Sequence, residues 1–226
     1  MTPEHAIAEI KALSRPGAAE QMAAYHKVER PYLGTANPEI DTLCKAWRAD
    51  LDLDQRLALC AGLWNSNIHE ARIAAAKLLT QARIRPDDSG AWDLICAWVP
   101  EFDAWAIADH VCIAAQKRIT ADPTRLDTVE SWTTSPLMWT RRAALVSTLP
   151  FARLNNLKPQ ETEARERVLS WAASYLSDKD WFIQKAVAWW LRDLSKHDAA
   201  RTEAFLAEFG DLMKTWARKE AGQYLP

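Results

Sequence analysis

The chain has 226 residues, of which 49% are hydrophobic and 26% are charged, so it can bury a sizeable core and is too apolar to be disordered. It contains only 6 glycines, which counts against a β-rich or loop-rich fold, and the abundance of Ala, Leu, Glu, Lys and Arg favours helices. The formal net charge of -2 counts against a strongly basic nucleic-acid-binding domain, although an acidic face can balance a basic one.

Helix start and stop signals divide the chain into many short helices. Thr2 is the expected N-cap of the first helix, with Pro3 in its first turn. The later helices are predicted at about 18–28, 37–48, 52–65, 67–83, 90–99, 103–119, 123–133, 135–149, 160–176, 178–196 and 199–220. No segment alternates cleanly enough for a β-strand, so the fold class is predicted to be all-α.

A weak internal repeat indicates how these helices are arranged. Segments 69–76, 139–145 and 182–189 each place basic or amide residues just before small ones. The gaps between the aligned segments are 69 and 43 residues, and 69 corresponds to about two repeats of 34–35. Such periods are typical of stacked antiparallel helical hairpins. The sequence therefore predicts one domain, residues 1–226, in the form of a curved solenoid with a concave face suited to a long partner.

The cysteines and the N-terminus indicate a protein of a reducing compartment. Four cysteines at positions 44, 60, 96 and 112 lie far apart, with no Cys-x-x-Cys motif and no histidine at ligand spacing. They are expected to be buried, and no metal site is predicted. Residues 1–10 do not resemble a signal peptide, and no apolar run reaches the roughly 18 residues of a membrane span. We therefore expect an intracellular protein with no membrane partner.

Trp105 and Asp109 form the first candidate site. They are four residues apart on a helix that Asp103 is placed to cap, so the indole and the carboxylate share one face. A rigid π surface beside one negative charge could stabilise a cation. The same spacing also fits a half-buried Trp next to a solvated Asp. His110 is turned about 100° away and is not part of this pair.

Two later helices combine aromatic and basic side chains. Trp139 and Arg142 are three residues apart, which suits a phosphate contact but also fits an arginine lying over apolar packing. Trp181, Lys185, Trp189 and Arg192 fall on one stripe. Proteins bind nucleic acid with such an alternation of basic side chains and aromatic rings. Core indoles that are covered by lysine and arginine stems would give the same pattern.

The histidines and residues 216–220 do not indicate a catalytic site. His69, His110 and His197 have no Ser or Cys at a readable spacing, so no nucleophilic triad is predicted. Residues 216–220 are expected to form a solvated end.

Taken together, four segments resemble the bacterial DNA alkylation repair enzymes of the AlkD type, which are alkylpurine DNA glycosylases built from HEAT-like helical repeats. The resemblance covers most of the chain and rests on Tyr25 with 31–38, the Trp105–Asp109 pair, 139–143 and 182–192. It implies a curved solenoid of about six HEAT-like repeats.

The resemblance also implies residue roles. The catalytic aspartate of the family falls on Asp109, and its pair of cleft tryptophans falls on Trp105 and Trp189. Its phosphate-binding arginine falls on Arg142 and its N-terminal cleft tyrosine on Tyr25. Lys185, Arg192 and Trp139 are expected to contact DNA as well.

The activity implied by the resemblance is hydrolysis of the N-glycosidic bond of N3- or N7-alkylated purines in double-stranded DNA. It needs no cofactor or metal and leaves the lesion stacked in the duplex. The expected protein is a monomer in the bacterial cytoplasm. Two alternatives are a non-catalytic HEAT-like protein that binds DNA structures and a protein-interaction scaffold.

Overall fold

In the computed structural model, which describes residues 1–226, α-helices are joined by short loops and by four 3₁₀ turns. No strand is present, so the all-α prediction is confirmed. Contacts between helices divide the chain into two units, residues 1–118 and residues 119–226. The prediction of one domain over residues 1–226 stays a prediction. None of the helices has both the length and the apolar character needed to cross a membrane.

The first unit is built around its fifth helix. Its helices are α1 (Pro3–Ala12), α2 (Ala18–His26), α3 (Asn37–Asp50), α4 (Leu53–Asn65), α5 (His69–Leu78), α6 (Ser89–Trp98) and α7 (Trp105–Ala121), and the last three residues of α7 belong to the second unit. Helix α5 packs against α1, α3 and α4, and all of its residues except Lys77 are buried. Its four alanines leave room for neighbouring helices to approach closely on all sides.

The second unit is built around the aromatic helix α12. Its helices are α8 (Leu126–Trp132), α9 (Met138–Val146), α10 (Leu149–Arg153), α11 (Pro159–Ser174), α12 (Trp181–His197), α13 (Ala199–Phe209) and α14 (Thr215–Ala221). Helix α12 packs against α9, α10, α13 and α14. The four 3₁₀ turns are Val99–Glu101, Pro123–Arg125, Tyr175–Ser177 and Gly210–Leu212.

The helix predicted over 67–83 is too long, because α5 ends at Leu78. Two further predicted helices are also wrong in length. The helix predicted over 135–149 stops at Val146, and α10 follows with Pro150 in its first turn. Proline cannot donate the backbone hydrogen bond that a continuous helix would need there. The helix predicted over 199–220 is interrupted by the 3₁₀ turn at Gly210, and α14 then starts in a new direction. The expectation of a solvated end at 216–220 is met only by Arg218 and Lys219, which are exposed, whereas Ala217 is fully buried and Trp216 and Glu220 are half-buried.

The cysteines largely follow the prediction. Cys44, Cys60 and Cys112 are buried, whereas Cys96 is partly exposed, and all four are free thiols. Burial raises the pKa of the Cys44 thiol to about 12, which keeps it protonated and unreactive at neutral pH.

Candidate functional site

Asp109 and Trp105 line one cavity in the first unit. The cavity has a volume of about 130 Å³ and is lined by His26, Asn37, His69, Ile73, Trp105, Ala106, Asp109, His110 and Ile113. Asp109 is half-buried, and Trp105 keeps 37% of its surface exposed. The shared face predicted from their spacing is therefore confirmed. His110, which the spacing sets apart from this pair, lines the same cavity.

Aromatic rings from three segments meet at one side of this cavity. The ring of Trp105 lies 6.0 Å from Tyr25, edge to face, and 5.4 Å from His26. The His26 ring lies 4.4 Å from His69, and Tyr32 lies 4.8 Å from His69. We call these five residues the aromatic wall. Tyr25 is the outermost member, with 69% of its surface exposed.

The histidines of the cavity are held neutral. Burial, together with the neighbouring His26 and Arg30, lowers the pKa of His69 to about 3. Burial and the nearby Lys77 lower the pKa of His110 to about 4. Burial also lowers the pKa of His26. No Lys or Arg lines the cavity, so its lining presents one acidic side chain and uncharged imidazoles at neutral pH.

A buried glutamate fixes the segment between α2 and α3 that carries part of the aromatic wall. Glu70 is only 1% exposed, and its carboxylate accepts backbone N–H bonds from Leu33 (2.9 and 3.0 Å), Gly34 (2.7 Å) and Thr35 (3.4 Å). Gly34 has φ +82°, and a Cβ there would lie 2.8 Å from a backbone nitrogen of α2. The neighbouring His69 donates its backbone N–H to the Pro31 carbonyl at 3.0 Å. Glu70 thereby positions Tyr32 and the end of α2.

Arg30 lies close enough to the aromatic wall for its charge to help lower the pKa of His26 and His69. Its side chain is almost fully buried and forms an ion pair with Asp103, the residue expected to cap α7. This pair ties the segment after α2 to the start of α7. The carboxylate of Asp103 also balances the charge of Arg30. Arg30 itself does not line the cavity.

In the second unit, the pairing of Trp139 with Arg142 is confirmed. The guanidinium carbon of Arg142 lies 5.6 Å from the centre of the Trp139 ring, and Arg142 is only 5% exposed. Trp139 in turn lies 4.6 Å from Phe182. The adjacent Arg141 points elsewhere and binds Asp178 at 2.9 Å. The role of Arg142 in phosphate binding stays a prediction.

The stripe on α12 is partly covered by α14. Glu220 accepts hydrogen bonds from Lys185 at 2.6 and 2.9 Å and from Arg192 at 2.9 Å. Trp216 stacks on Trp181 with ring centres 5.9 Å apart. Both cations of the stripe are therefore engaged by one carboxylate of the chain itself. Trp189, the second predicted catalytic tryptophan, is half-buried on the same helix.

No group of three or more His, Cys, Asp or Glu side chains is arranged to hold a metal ion. The small cavity of the first unit brings together a carboxylate, an indole face and neutral imidazoles.

Both the sequence and the fold are similar to those of known proteins. The sequence profile of the DNA alkylation repair enzyme family matches residues 6–225. A structure described as a predicted DNA alkylation repair enzyme from Enterococcus faecalis superposes with a TM-score of 0.75 and 21% identity, covering 94% of this chain and 96% of that chain. AlkD2 from Streptococcus mutans superposes with a TM-score of 0.68 and 16% identity over 99% of both chains. No curated protein matches the sequence.

Proposed function

The chain belongs to the DNA alkylation repair enzyme family, and on that basis we propose that it is a DNA glycosylase. Its substrate is double-stranded DNA that contains a purine alkylated at N3 or N7. The reaction is hydrolysis of the bond between the purine and C1′ of the deoxyribose. The observation that carries this proposal is the cavity that Asp109 and Trp105 line together, among imidazoles that stay neutral at physiological pH.

The chemistry of the lesion sets what the protein has to supply. A purine alkylated at N3 or N7 carries a positive charge, so it takes the electron pair of the C1′–N bond and leaves as a neutral base without a proton donor. The sugar passes through a state with oxocarbenium character, and the oxygen of a water molecule then bonds to C1′. In our proposal, Asp109 stabilises the sugar cation, orients this water and directs its proton towards solvent.

The side chains that line the cavity support these roles of the cationic base and of Asp109. The indole face of Trp105 attracts a cation by roughly 0.5–2 kcal/mol. Neutral His26, His69 and His110 do not repel a cationic lesion as imidazolium groups would.

The size of the cavity supports hydrolysis without base flipping. Sites that enclose a whole small molecule have volumes of roughly 300–1,000 Å³, and a flipped base needs a closed pocket of its own. A cavity of about 130 Å³ is instead suited to the edge of a sugar and a water molecule. We therefore propose that the alkylated base stays stacked while its sugar contacts Asp109 and Trp105.

The remaining predicted residues are proposed to hold the DNA. Tyr25 is exposed at the outer end of the aromatic wall, where it can contact the duplex. Trp189 is proposed as the second indole at the deoxyribose, and Arg142 as a contact to the backbone. Trp139, Lys185 and Arg192 are proposed to contact DNA along α9 and α12. The protein is proposed to act as a monomer and without a cofactor.

Release of 7-methylguanine from methylated duplex DNA tests the proposal. The wild-type protein should release the base at micromolar concentration, and Asp109→Asn should slow release by about 100-fold or more. Asp93→Asn, at an exposed aspartate of α6, is the matched control and should behave as the wild type does. Duplex binding without any release would contradict the enzyme and would favour a non-catalytic DNA-binding protein.

A further inference from the structure

A second cavity adjoins the one that contains Asp109. It has a volume of about 310 Å³ and is lined by Asp41, Arg48, Lys77, Thr80, Gln81, His110 and Ile113. His110 and Ile113 line both cavities, so the two lie side by side along α7. We call the second one the basic cavity, because it contains two cationic side chains and one carboxylate.

The cations of the basic cavity are held at its wall by the fold. Nη1 of Arg48 donates to the backbone carbonyl of Lys77 at 2.9 Å, which fixes the guanidinium and uses one of its five N–H donors. Nζ of Lys77 donates to Oδ1 of Asp41 at 2.6 Å. The Gln81 side-chain oxygen accepts from Arg56, so its amide N–H groups remain as donors. The wall therefore presents several hydrogen-bond donors in one place.

We propose that the basic cavity binds a phosphodiester group of the DNA backbone, the one attached to the sugar at Asp109. This inference rests on the proposed function, because it takes the sugar to lie in the neighbouring cavity. A sugar and its own phosphate are only a few bonds apart, so two adjoining cavities are what one sugar–phosphate unit requires. Arg and Lys side chains are the common partners of phosphate oxygens.

Asp41 provides a hydrogen-bond acceptor for Lys77 in the basic cavity when DNA is not bound. Its carboxylate oxygen stands where a phosphate oxygen would stand on Lys77, and its side chain is 61% exposed. It can therefore turn out to solvent at little cost when a phosphate takes its place. The shared wall residue His110 stays neutral and adds no charge of its own.

Inorganic phosphate is a direct probe of the basic cavity. In a titration of the full chain at pH 7 and constant ionic strength, the NMR signals of the His110 ring should shift and saturate. Asp41→Asn frees Lys77 and should saturate at a several-fold lower phosphate concentration, whereas Arg48→Gln combined with Lys77→Gln should abolish the shift. Lys45→Gln, at an exposed position of α3, is the control and should leave the titration unchanged. A wild-type titration without saturation, or weaker binding by Asp41→Asn, would overturn the inference.

Binding to an undamaged duplex separates this inference from the proposed function. The Arg48→Gln/Lys77→Gln variant should bind more weakly, and its slope of log affinity against log salt should fall by about 1–2. If the wild type releases no base but the phosphate and salt effects are found, the glycosylase proposal fails and the phosphate site stands. If base release is intact but this variant binds duplex with the wild-type affinity and slope, the phosphate site is wrong and the enzyme stands.

Discussion

The Nζ atom of Lys185 lies 2.6 Å from Oε2 of Glu220, and the same carboxylate also binds Arg192. Helix α14 thus neutralises both cations of the α12 stripe with a single side chain. Arg192 also lies 3.6 Å from Oδ1 of Asp193, so the carboxylates around the stripe offset most of its positive charge. The stripe can therefore attract DNA less strongly than its sequence indicates.

Replacing Glu220 by Gln should therefore tighten DNA binding. Freed from their partner, Lys185 and Arg192 should raise duplex affinity several-fold and steepen the salt dependence by about 1 in log–log slope. Fluorescence anisotropy with a labelled duplex at several salt concentrations measures both effects. Glu203→Gln, at an exposed position of α13, is the matched control. Equal affinities for the two variants would show that the α12 stripe does not contact DNA.

Glu70 should be important for the stability of the first unit. Glu70→Gln has nearly the same shape, but it replaces one acceptor oxygen of a buried carboxylate that receives backbone N–H bonds from Leu33, Gly34 and Thr35. Because charge-assisted bonds contribute about 1.5–3 kcal/mol each, the free energy of unfolding should fall by about that amount. Urea unfolding measures the loss, with Glu29→Gln at an exposed position as the control. A loss equal to that of the control would mean that Glu70 does not position this segment.

Stability should fall as the pH is lowered from neutral. His69 and His110 have folded-state pKa values of about 3 and about 4, below the ordinary value of 6.5. Below pH 6.5 the unfolded chain binds protons that the folded chain does not, so the stabilising effect present above pH 6.5 is lost as the pH falls towards 4. Each histidine contributes up to about 1.36 kcal/mol per pH unit in this range.

Urea unfolding at pH 7.5, 6.5 and 5.5 tests the assignment of this effect. His69→Gln removes one of the groups and should make the dependence on pH shallower. Gln21→Ala, at an exposed uncharged position of α2, is the control and should leave the dependence unchanged. Parallel curves for the wild type and His69→Gln would mean that His69 is not held neutral by the fold.

Trp189 and Trp216 provide a comparison within the second unit. Trp189→Ala should reduce base release more than Trp216→Ala, since Trp189 is the proposed second indole at the sugar and Trp216 stacks on Trp181. Single-turnover release of 7-methylguanine measures both variants under the same conditions. Equal losses would show that the role of Trp189 is packing within the α12–α14 pair.

Local spacing was sufficient to predict some of these relationships. Trp105 and Asp109 share a face because they lie one helical turn apart, and Arg142 meets Trp139 for the same reason. The all-α fold follows from composition and from helix start and stop signals. Each of these inferences depends only on residues that are close in the sequence.

Relationships between distant segments could not be predicted in this way. His26 and Tyr32 meet His69 because of how α2 and the segment after it pack on α5, and no fixed spacing marks such a contact. The pairing of Glu220 with Lys185 likewise depends on the break at Gly210, which turns α14 back onto α12. Sequence periodicity indicates which residues share a face of one helix, so it does not predict contacts between distant segments.

The central claim is that one carboxylate and an indole face suffice because the leaving base is already cationic. The most direct test is a single-turnover comparison of two matched duplexes, one with 7-methylguanine and the other with neutral hypoxanthine at the same position. We predict release of 7-methylguanine at neutral pH, and no release of hypoxanthine above the uncatalysed rate. Release of hypoxanthine at a similar rate would reveal a proton donor and contradict this account of the cavity at Asp109.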